Sequence, residues 1–443
     1  MEAVEIRLEE TAGVTRERLQ ELEVQLRPER DRMIAALTEG YEDVRASLSC
    51  PTDVAMLERV EQVADRVRGL HPSYLVVVGI GGSNLGTMAV HEAVKGRFPH
   101  QLGRSPRVLW ADTVDSDMME AILRVIEPAL AAGEHVVVNA ISKSGTTTET
   151  VANFQVLVDV LQRYDARYQP YTVVTTNKGS PLWELAQDEH IDALEIPLQV
   201  GGRFSVFSPV GLFPLSLLGV NLPVLREGAR VMRIRCLEAA MEKNPAAAGA
   251  AAAYAHYRDG KNIHTLFLFG NDLESVGKWH RQLVAESLGK QHDRSGAEVF
   301  TGMTPTVAIG STDLHSVAQL YLGGPFDRFT TFVSVGRPRA TVKIPCSSAY
   351  RSLVQDIQGR TLAEVMDAIN EGVKRAFRKA GRPFAEIVLP DTSEASLGQL
   401  LQLKMMEVMY LGALLEVNPF DQPNVESYKE ETRALLSQAA GRG

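Results

Sequence analysis

Short apolar runs alternate with longer stretches of helical spacing over most of the chain. The runs, rich in β-branched residues, lie at 75–78, 108–110, 136–141, 172–174, 265–269, 307–309, 332–335 and 387–389. Continuous apolar runs of this length suit strands buried on both faces, and the stretches between them suit crossover helices. The pattern predicts an α/β protein with two doubly wound parallel sheets, each forming a three-layer αβα domain, at 71–200 and 246–390.

The remaining segments are predicted to be helical or connecting. Residues 1–70 are expected to form an N-terminal helical layer, because apolar residues from Met56 to Leu70 fall on one stripe. Residues 201–245 are expected to connect the two α/β domains, and residues 391–443 to form a C-terminal helical arm. The apolar run Val206 to Leu222 contains prolines and is short for a bilayer, so it predicts a buried helix pair.

Composition narrows the class of protein. The chain has 443 residues, 45% hydrophobic and 23% charged, with a formal net charge of −9, as in soluble globular proteins and unlike general nucleic-acid binders. The charged N-terminus lacks the pattern of a signal peptide, so a cytoplasmic protein without a membrane partner is expected. Its three cysteines are widely spaced and predicted to be small core residues, and its ten histidines lack metal-binding spacing. We therefore expect no metal.

A hydroxyl-rich loop, Ser142 to Thr147, follows one apolar run and precedes a stretch of helical spacing. A turn between a strand and a helix N-terminus favours an anion, because backbone N–H groups and the helix dipole face it. Ser142, Lys143, Ser144 and Thr147 would add donors. The alternative is an ordinary Ser/Thr-rich turn with an N-cap.

A glycine loop, Gly79 to Gly86, follows the first predicted strand. Glycines permit close approach of a ligand to the backbone, but the loop fails as a dinucleotide fingerprint because Asn84 stands at the third glycine position. A tight structural turn is the alternative.

Two later segments carry charged groups that could bind an anion or accept a proton. Arg203, within the arginine turn Gly201 to Ser205, offers a permanent cation for an anion, although a structural salt bridge is the commoner use. Glu286 lies with Gln282 beside an apolar stripe on a predicted helix at 272–289. A partly desolvated carboxylate is a better proton acceptor, but a solvated surface glutamate is the usual interpretation of such a segment.

His315 and Lys429 are the remaining candidates. His315 follows a predicted strand and could shuttle protons, although a structural histidine is more common. Lys429, near the C-terminus, would by default be exposed.

These motifs together, from about Gly79 to Lys429, resemble those of the glucose-6-phosphate isomerase family and occur in the same order. The resemblance implies two sugar-isomerase (SIS) type domains, a homodimer, and interconversion of glucose 6-phosphate and fructose 6-phosphate, in glycolysis and gluconeogenesis, without metal or cofactor.

The resemblance also implies roles for individual residues. Phosphate and sugar would be held by Gly82, Ser83, Ser142, Lys143, Ser144, Thr147, Gly202, Gln282 and Gln422. Arg203 would steady the enediolate, and Glu286 would move the proton between C2 and C1. Lys429 and His315 would assist ring opening, with His315 reaching the active site of the partner subunit.

Two departures from the family pattern and two rival functions remain. Asn424 and Leu198 replace residues that are usually small or polar, which bears on local backbone geometry and sugar selectivity. A non-catalytic sugar-phosphate-binding protein of the same fold would keep the hydroxyl-rich loop but not the base. A nicotinamide-dependent dehydrogenase is disfavoured by Asn84. Activity on mannose 6-phosphate is left open.

Overall fold

The structure is a computed structural model that describes residues 1–8, 11–99, 102–103 and 106–440. Its strands are β1 Glu5–Arg7, β2 Tyr74–Val78, β3 Arg107–Ala111, β4 Val136–Ile141, β5 Thr172–Thr176, β6 Asp192–Glu195, β7 Ile263–Phe269, β8 Lys290–His292, β9 Glu298–Thr301, β10 Thr304–Gly310, β11 Arg328–Val335 and β12 Phe384–Leu389. Its helices are α1 Arg16–Glu39, α2 Val54–Arg68, α3 Leu85–Lys95, α4 Ser116–Ala131, α5 Thr148–Tyr164, α6 Pro181–Asp188, α7 Pro209–Leu217, α8 Leu222–Arg235, α9 Pro245–Arg258, α10 Glu274–Leu288, α11 Leu314–Gly323, α12 Leu362–Lys379, α13 Glu394–Leu414 and α14 Pro423–Ala440.

The first sheet is parallel and has the strand order β3-β2-β4-β5-β6. β2 and β4 are buried along their whole length, which explains their unbroken apolar sequences. The edge strand β6, Asp192–Glu195, was not predicted from the sequence because it is short and begins and ends with an acidic residue. The prediction of a doubly wound α/β fold is confirmed in this half.

The second sheet has the order β1-β12-β11-β7-β10, with β12, β11, β7 and β10 parallel. Its outer strand β1, Glu5–Arg7, pairs antiparallel with β12. The helical prediction for residues 1–70 is therefore wrong at these residues. β1 is only three residues long and begins and ends with a charged residue, so its sequence shows no strand periodicity. It is stabilised by pairing with the edge strand β12, which is available only in the folded sheet.

The apolar core is continuous between the two sheets, where a single buried cluster includes residues of α8, α9, α10 and α13. Helix α13 is buried on nearly every side, whereas α14 is exposed over most of its length. The predicted buried helix pair begins with α7, which is fully buried from Pro209 to Leu217, and continues into α8. Within the described residues, no helix is long and apolar enough to cross a membrane.

The cysteines divide into two environments. Cys50 and Cys236 are buried, and burial raises the pKa of each thiol to about 12. Cys346 is exposed, so its predicted place in the core is wrong. It lies in the irregular segment between β11 and α12. The sequence there has no helix or strand periodicity from which the burial of a side chain could be predicted. No group of three or more His, Cys, Asp or Glu side chains in the described part of the chain is arranged to hold a metal ion.

Candidate active site

The hydroxyl-rich loop occupies the turn that the sequence predicts, because β4 ends at Ile141 and α5 begins at Thr148. Its hydroxyls are organised within the loop: Ser142 Oγ lies 2.9 Å from Thr147 Oγ1 and accepts a hydrogen bond of 3.1 Å from the backbone N–H of Gly145. Thr147 is the N-cap of α5, yet no side chain in the described ranges caps the helix there. The first amides of α5 are thus available to an anion beside the half-buried Lys143 and exposed Ser144.

The glycine loop packs directly on the arginine turn. A Cβ added to Gly82 would lie 2.3 Å from the carbonyl carbon of Gly202, so a side chain at this position would clash with backbone. Ser205 Oγ donates a hydrogen bond of 3.2 Å to the Gly82 carbonyl. Gly81 has a φ of 58°, and a Cβ there would lie 2.9 Å from Gln282 Nε2. Glycine is therefore required where the loop after β2 meets the turn and α10.

Asn84 stands where the dinucleotide fingerprint requires glycine, and it stabilises the glycine loop by an internal hydrogen bond. Its Nδ2 donates a hydrogen bond of 2.6 Å to the carbonyl oxygen of Gly79, and its side chain is buried. Ser83, in the same loop, is half-buried.

Arg203 is the centre of the site and is only 1% exposed. Its Nε donates to Ser287 Oγ at 2.7 Å, and its Nη1 donates to Glu286 Oε2 at 3.1 Å and to Gln422 Oε1. Its Nη2 donates to the carbonyl oxygens of Pro419 and Asp421. A guanidinium has five N–H donors, so all of them are engaged. Burial lowers the pKa of Arg203, and the charges of Glu286 and Asp421 oppose that shift.

Glu286 lies in the last turn of α10 with a side chain that is 27% exposed. Gln282, one turn earlier, donates from Nε2 to Glu286 Oε1 at 3.1 Å. Each carboxylate oxygen thus has a protein donor, which fixes the plane of the carboxylate. Gln282 Oε1 is buried and, among the described residues, has no hydrogen-bond partner. It is an acceptor available to a substrate hydroxyl.

Lys143 connects the hydroxyl-rich loop to this cluster. Burial lowers the pKa of Lys143, and the positive charge of Arg203 lowers it further. Arg203 is thus close enough to act on Lys143 electrostatically, and two neighbouring cations favour an anionic ligand.

Three residues that hold the site together were not identified from the sequence: Ser287, Lys290 and Asp421. Lys290 is buried, pairs with Asp421 Oδ1 at 2.9 Å, and donates to the Glu286 carbonyl at 3.0 Å. Burial lowers the pKa of Lys290 against the opposing effect of Asp421. The only sequence signal for them is their position next to Glu286 and Gln422, which does not distinguish them from ordinary neighbours.

His315 and Lys429 lie apart from this cluster. His315 is exposed in the first turn of α11, and Lys429 Nζ pairs with Glu426 Oε1 at 2.7 Å on α14. No hydrogen bond or ion pair within the described ranges joins either side chain to Arg203 or Glu286. A single chain therefore brings together the other candidate catalytic groups but not these two.

The two departures from the family pattern lie at the edge of the site. Leu198 is 69% exposed in the segment before the arginine turn. Asn424 donates from Nδ2 to Gln291 Oε1 at 3.1 Å in the first turn of α14. Neither side chain contacts Arg203, Glu286 or Gln282 in the described hydrogen bonds.

Comparison with known proteins identifies the family of this chain. Residues 67–442 match the family model of phosphoglucose isomerase. A glucose-6-phosphate isomerase from Rubrobacter xylanophilus is 38% identical over 443 residues, covering 97% of this chain and 96% of that protein. Another, from Carboxydothermus hydrogenoformans, is 37% identical over 387 residues, covering 86% of this chain and 82% of that protein.

A solved structure shares the fold over nearly the whole chain. A hypothetical protein from Thermus thermophilus superposes with a TM-score of 0.88 and 31% identity, covering 98% of this chain and 100% of that one. The match to the family model extends from the end of α2 to the C-terminal helix. The chain belongs to the phosphoglucose isomerase family.

Proposed function

We propose that this protein is an aldose-ketose isomerase that interconverts glucose 6-phosphate and fructose 6-phosphate through a cis-enediolate, in glycolysis and gluconeogenesis. The observation that carries the proposal is the contact of Glu286 with both Gln282 and Arg203, beside loops suited to a phosphate. Relatives that align over most of the chain are named glucose-6-phosphate isomerase. The enzyme class follows from the carboxylate, which a sugar-phosphate-binding protein would not need.

Glu286 is proposed to carry the proton. Isomerisation requires a base that removes the C2 proton and returns it to C1, and one carboxylate can do both. The hydrogen bond from Gln282 and the ion pair with Arg203 hold both carboxylate oxygens, while the remaining exposure leaves an approach for the sugar. A fixed carboxylate loses little orientational freedom when the reaction begins.

Arg203 is proposed to stabilise the negative charge of the enediolate. Because its five N–H donors are all engaged, a substrate oxygen must replace one present acceptor. Gln422 is the best candidate for exchange, since it is a neutral amide and is itself proposed to contact the sugar. The other contacts keep the guanidinium in place throughout the reaction, as preorganised electrostatic stabilisation requires.

The phosphate is proposed to bind at the N-terminus of α5. Ser142, Ser144, Thr147 and the amides of the first turn supply neutral donors, and Lys143 supplies a charge. Gly82, Ser83 and Gly202 would line the path from this anchor to the reacting carbons. Phosphate binding at a distance from those carbons orients the substrate and uses remote binding energy for the chemistry.

Ring opening is proposed to need His315 and Lys429, which the single chain leaves outside the cluster. We infer a homodimer in which His315 of one subunit serves the site of the other, supported by the exposure of His315. Lys429 lies on the exposed α14 and would approach the sugar by leaving Glu426. The cytoplasmic location remains a prediction.

A coupled assay with fructose 6-phosphate tests the proposal. Glucose 6-phosphate should form at the same rate with and without a chelator, and no nicotinamide should be consumed by the protein itself. Mannose 6-phosphate, run in parallel, reports how strictly the pocket fixes C2. Binding of fructose 6-phosphate without turnover would instead identify a sugar-phosphate-binding protein.

A further inference from the structure

Residues 415–422, which connect α13 to α14 and are called the linker below, carry three of the groups that orient Arg203. Arg203 donates to the carbonyl oxygens of Pro419 and Asp421 and to the side chain of Gln422. Two of these acceptors are backbone groups, so the place of the guanidinium depends on the conformation of an irregular segment. A preorganised site requires that other residues hold such a segment in place.

Two arginines from distant parts of the chain hold the linker. Arg294, in the turn after β8, donates from Nε to the carbonyl oxygen of Val417 at 2.9 Å. Arg45, which follows α1, is buried, and its Cζ lies 5.4 Å from the centre of the Phe420 ring, within the range of a cation–π contact. The Phe420 ring in turn lies 5.7 Å from the ring of Phe204 in the arginine turn. The linker is thus restrained at two points by positive side chains.

One buried carboxylate, that of Glu29 on α1, holds both arginines. Glu29 is 1% exposed. Its Oε1 accepts a hydrogen bond of 2.8 Å from Arg45 Nε, and its Oε2 accepts one of 2.6 Å from Arg32 Nη1 and lies 3.8 Å from Arg294 Nη2. Burying a carboxylate costs desolvation that an apolar side chain would avoid, so the stability of the fold alone does not account for a charge here. The position of Glu29 restrains the two side chains that contact the linker.

We propose that Glu29 is a positioning residue for the isomerase site, on which it acts through Arg45, Arg294 and the linker. The inference rests on the proposed function. The contacts lead from Glu29 to the two arginines, from these to the linker, and from the linker to Arg203, which donates to Glu286. The proposed phosphate anchor at the N-terminus of α5 is not part of this series of contacts. Loss of the Glu29 charge should therefore impair turnover more than substrate binding.

A double-mutant cycle in the full chain tests the proposal. Glu29→Gln keeps the shape of the side chain but removes its negative charge. Arg294→Gln removes one donor to the linker and leaves Glu29 paired with its other partners, and a third variant carries both changes. Glu386→Gln is the matched control, because Glu386 is also a buried carboxylate with two cationic partners, Lys374 and Arg378. Among the described residues, it has no hydrogen bond or ion pair with the linker.

Two measurements are made on each variant: kcat and KM with fructose 6-phosphate, and hydrogen exchange of the linker amides by mass spectrometry. We expect Glu29→Gln to lower kcat about tenfold or more, to change KM less than about threefold, and to speed exchange in the linker. Arg294→Gln should act in the same direction. The double variant should lose less than the product of the two single losses, because both changes break one series of contacts. Glu386→Gln should keep the wild-type kcat and linker exchange.

Four results would each overturn the proposal: wild-type kcat in folded Glu29→Gln, unchanged exchange in its linker, an equal loss of kcat in Glu386→Gln, or independent effects in the double variant. If Glu29→Gln does not fold, Arg294→Gln decides by the same two measurements. A wild-type chain without isomerase activity would instead refute the proposed function. In that case the exchange measurement would still show whether Glu29 holds the linker.

Discussion

Arg203 Nη1 lies 3.1 Å from Glu286 Oε2 and donates with the same nitrogen to Gln422 Oε1. One nitrogen thus joins the proposed base on α10 to the segment that leads into α14. Because Arg203 is buried and all its donors are used, its place is fixed by residues far apart in the chain. The site depends on this guanidinium for its shape as well as for its charge.

The first prediction concerns Arg203→Lys. Lysine keeps the charge but cannot reach five acceptors, so buried oxygens lose their donors and the free energy of unfolding should fall by about 2–4 kcal/mol. Losing one preorganised donor at the enediolate should also lower kcat by about 100-fold or more. Urea unfolding and the coupled assay measure the two effects. Arg281→Lys, at an exposed position on α10, should change neither. Wild-type stability of Arg203→Lys would contradict the role of the buried contacts.

Glu286→Gln should abolish proton transfer while leaving binding intact. The amide oxygen can still accept from Arg203, but the group cannot take up a proton, so kcat should fall by about 10²- to 10⁴-fold. Loss of exchange of the C2 proton with deuterated solvent, followed by NMR, is the measurement. Glu298→Gln, which makes the same change in the exposed strand β9, is the control and should keep wild-type exchange. Continued exchange in Glu286→Gln would remove Glu286 from the mechanism.

The double substitution Ser144→Ala and Thr147→Ala should act mainly on KM. It removes hydroxyl donors to phosphate but leaves Glu286 and Arg203 untouched, so we expect KM to rise about 10- to 100-fold with kcat changed less. Ser295→Ala, in the exposed turn after β8, controls for loss of a hydroxyl as such. A KM equal to that of the wild type would place the phosphate elsewhere.

His315 can be tested by mixing two inactive variants. If His315 serves the partner subunit, a dimer of one His315→Ala chain and one Glu286→Gln chain contains one complete site. Equal mixing after dissociation should restore about a quarter of the wild-type activity, since half of the dimers are mixed and each has one working site. Mixing that restores nothing would show that His315 acts within its own chain, and an active His315→Ala variant would show that it is not needed.

Acid should destabilise the protein through two buried histidines. His264 on β7 and His280 on α10 have ring centroids 6.0 Å apart, and burial lowers the pKa of His264 to about 3 and that of His280 well below its ordinary value. The nearby positive charge of the buried Lys404, which is paired with Glu407, acts in the same direction.

The sign of the pH effect follows from these shifts. Above about pH 6.5 both histidines are neutral in the folded and unfolded states. Below that pH only the unfolded state takes up protons, so stability falls as the pH drops towards 3, the folded pKa of His264. Each histidine should contribute a slope of up to about 1.4 kcal/mol per pH unit. Urea unfolding between pH 7.5 and 5 measures the slope, which should be shallower in His280→Leu; an unaltered slope would contradict the assignment.

The sequence determined the fold class and the positions of the chemically important segments. Runs such as Val136–Ile141 are buried on both faces of a sheet, so a local pattern reports their tertiary environment. The turn from Ser142 to Thr147 could also be predicted from local sequence, since the end of a strand and the start of a helix flank it directly. The edge strands β1 and β6 were missed because they are short and their pairing depends on a neighbour far away in the chain.

Only the tertiary structure decided which of these segments meet. Three contacts join distant parts of the chain, and no spacing in the sequence encodes them: Gly82 with Gly202, Gly81 with Gln282, and Arg203 with Gln422. Ser287, Lys290 and Asp421 are ordinary residue types whose roles arise from their contacts with Arg203 and Glu286. The sequence supplied the chemical groups, whereas packing between the two sheets set their distances and burial, because those depend on long-range contacts.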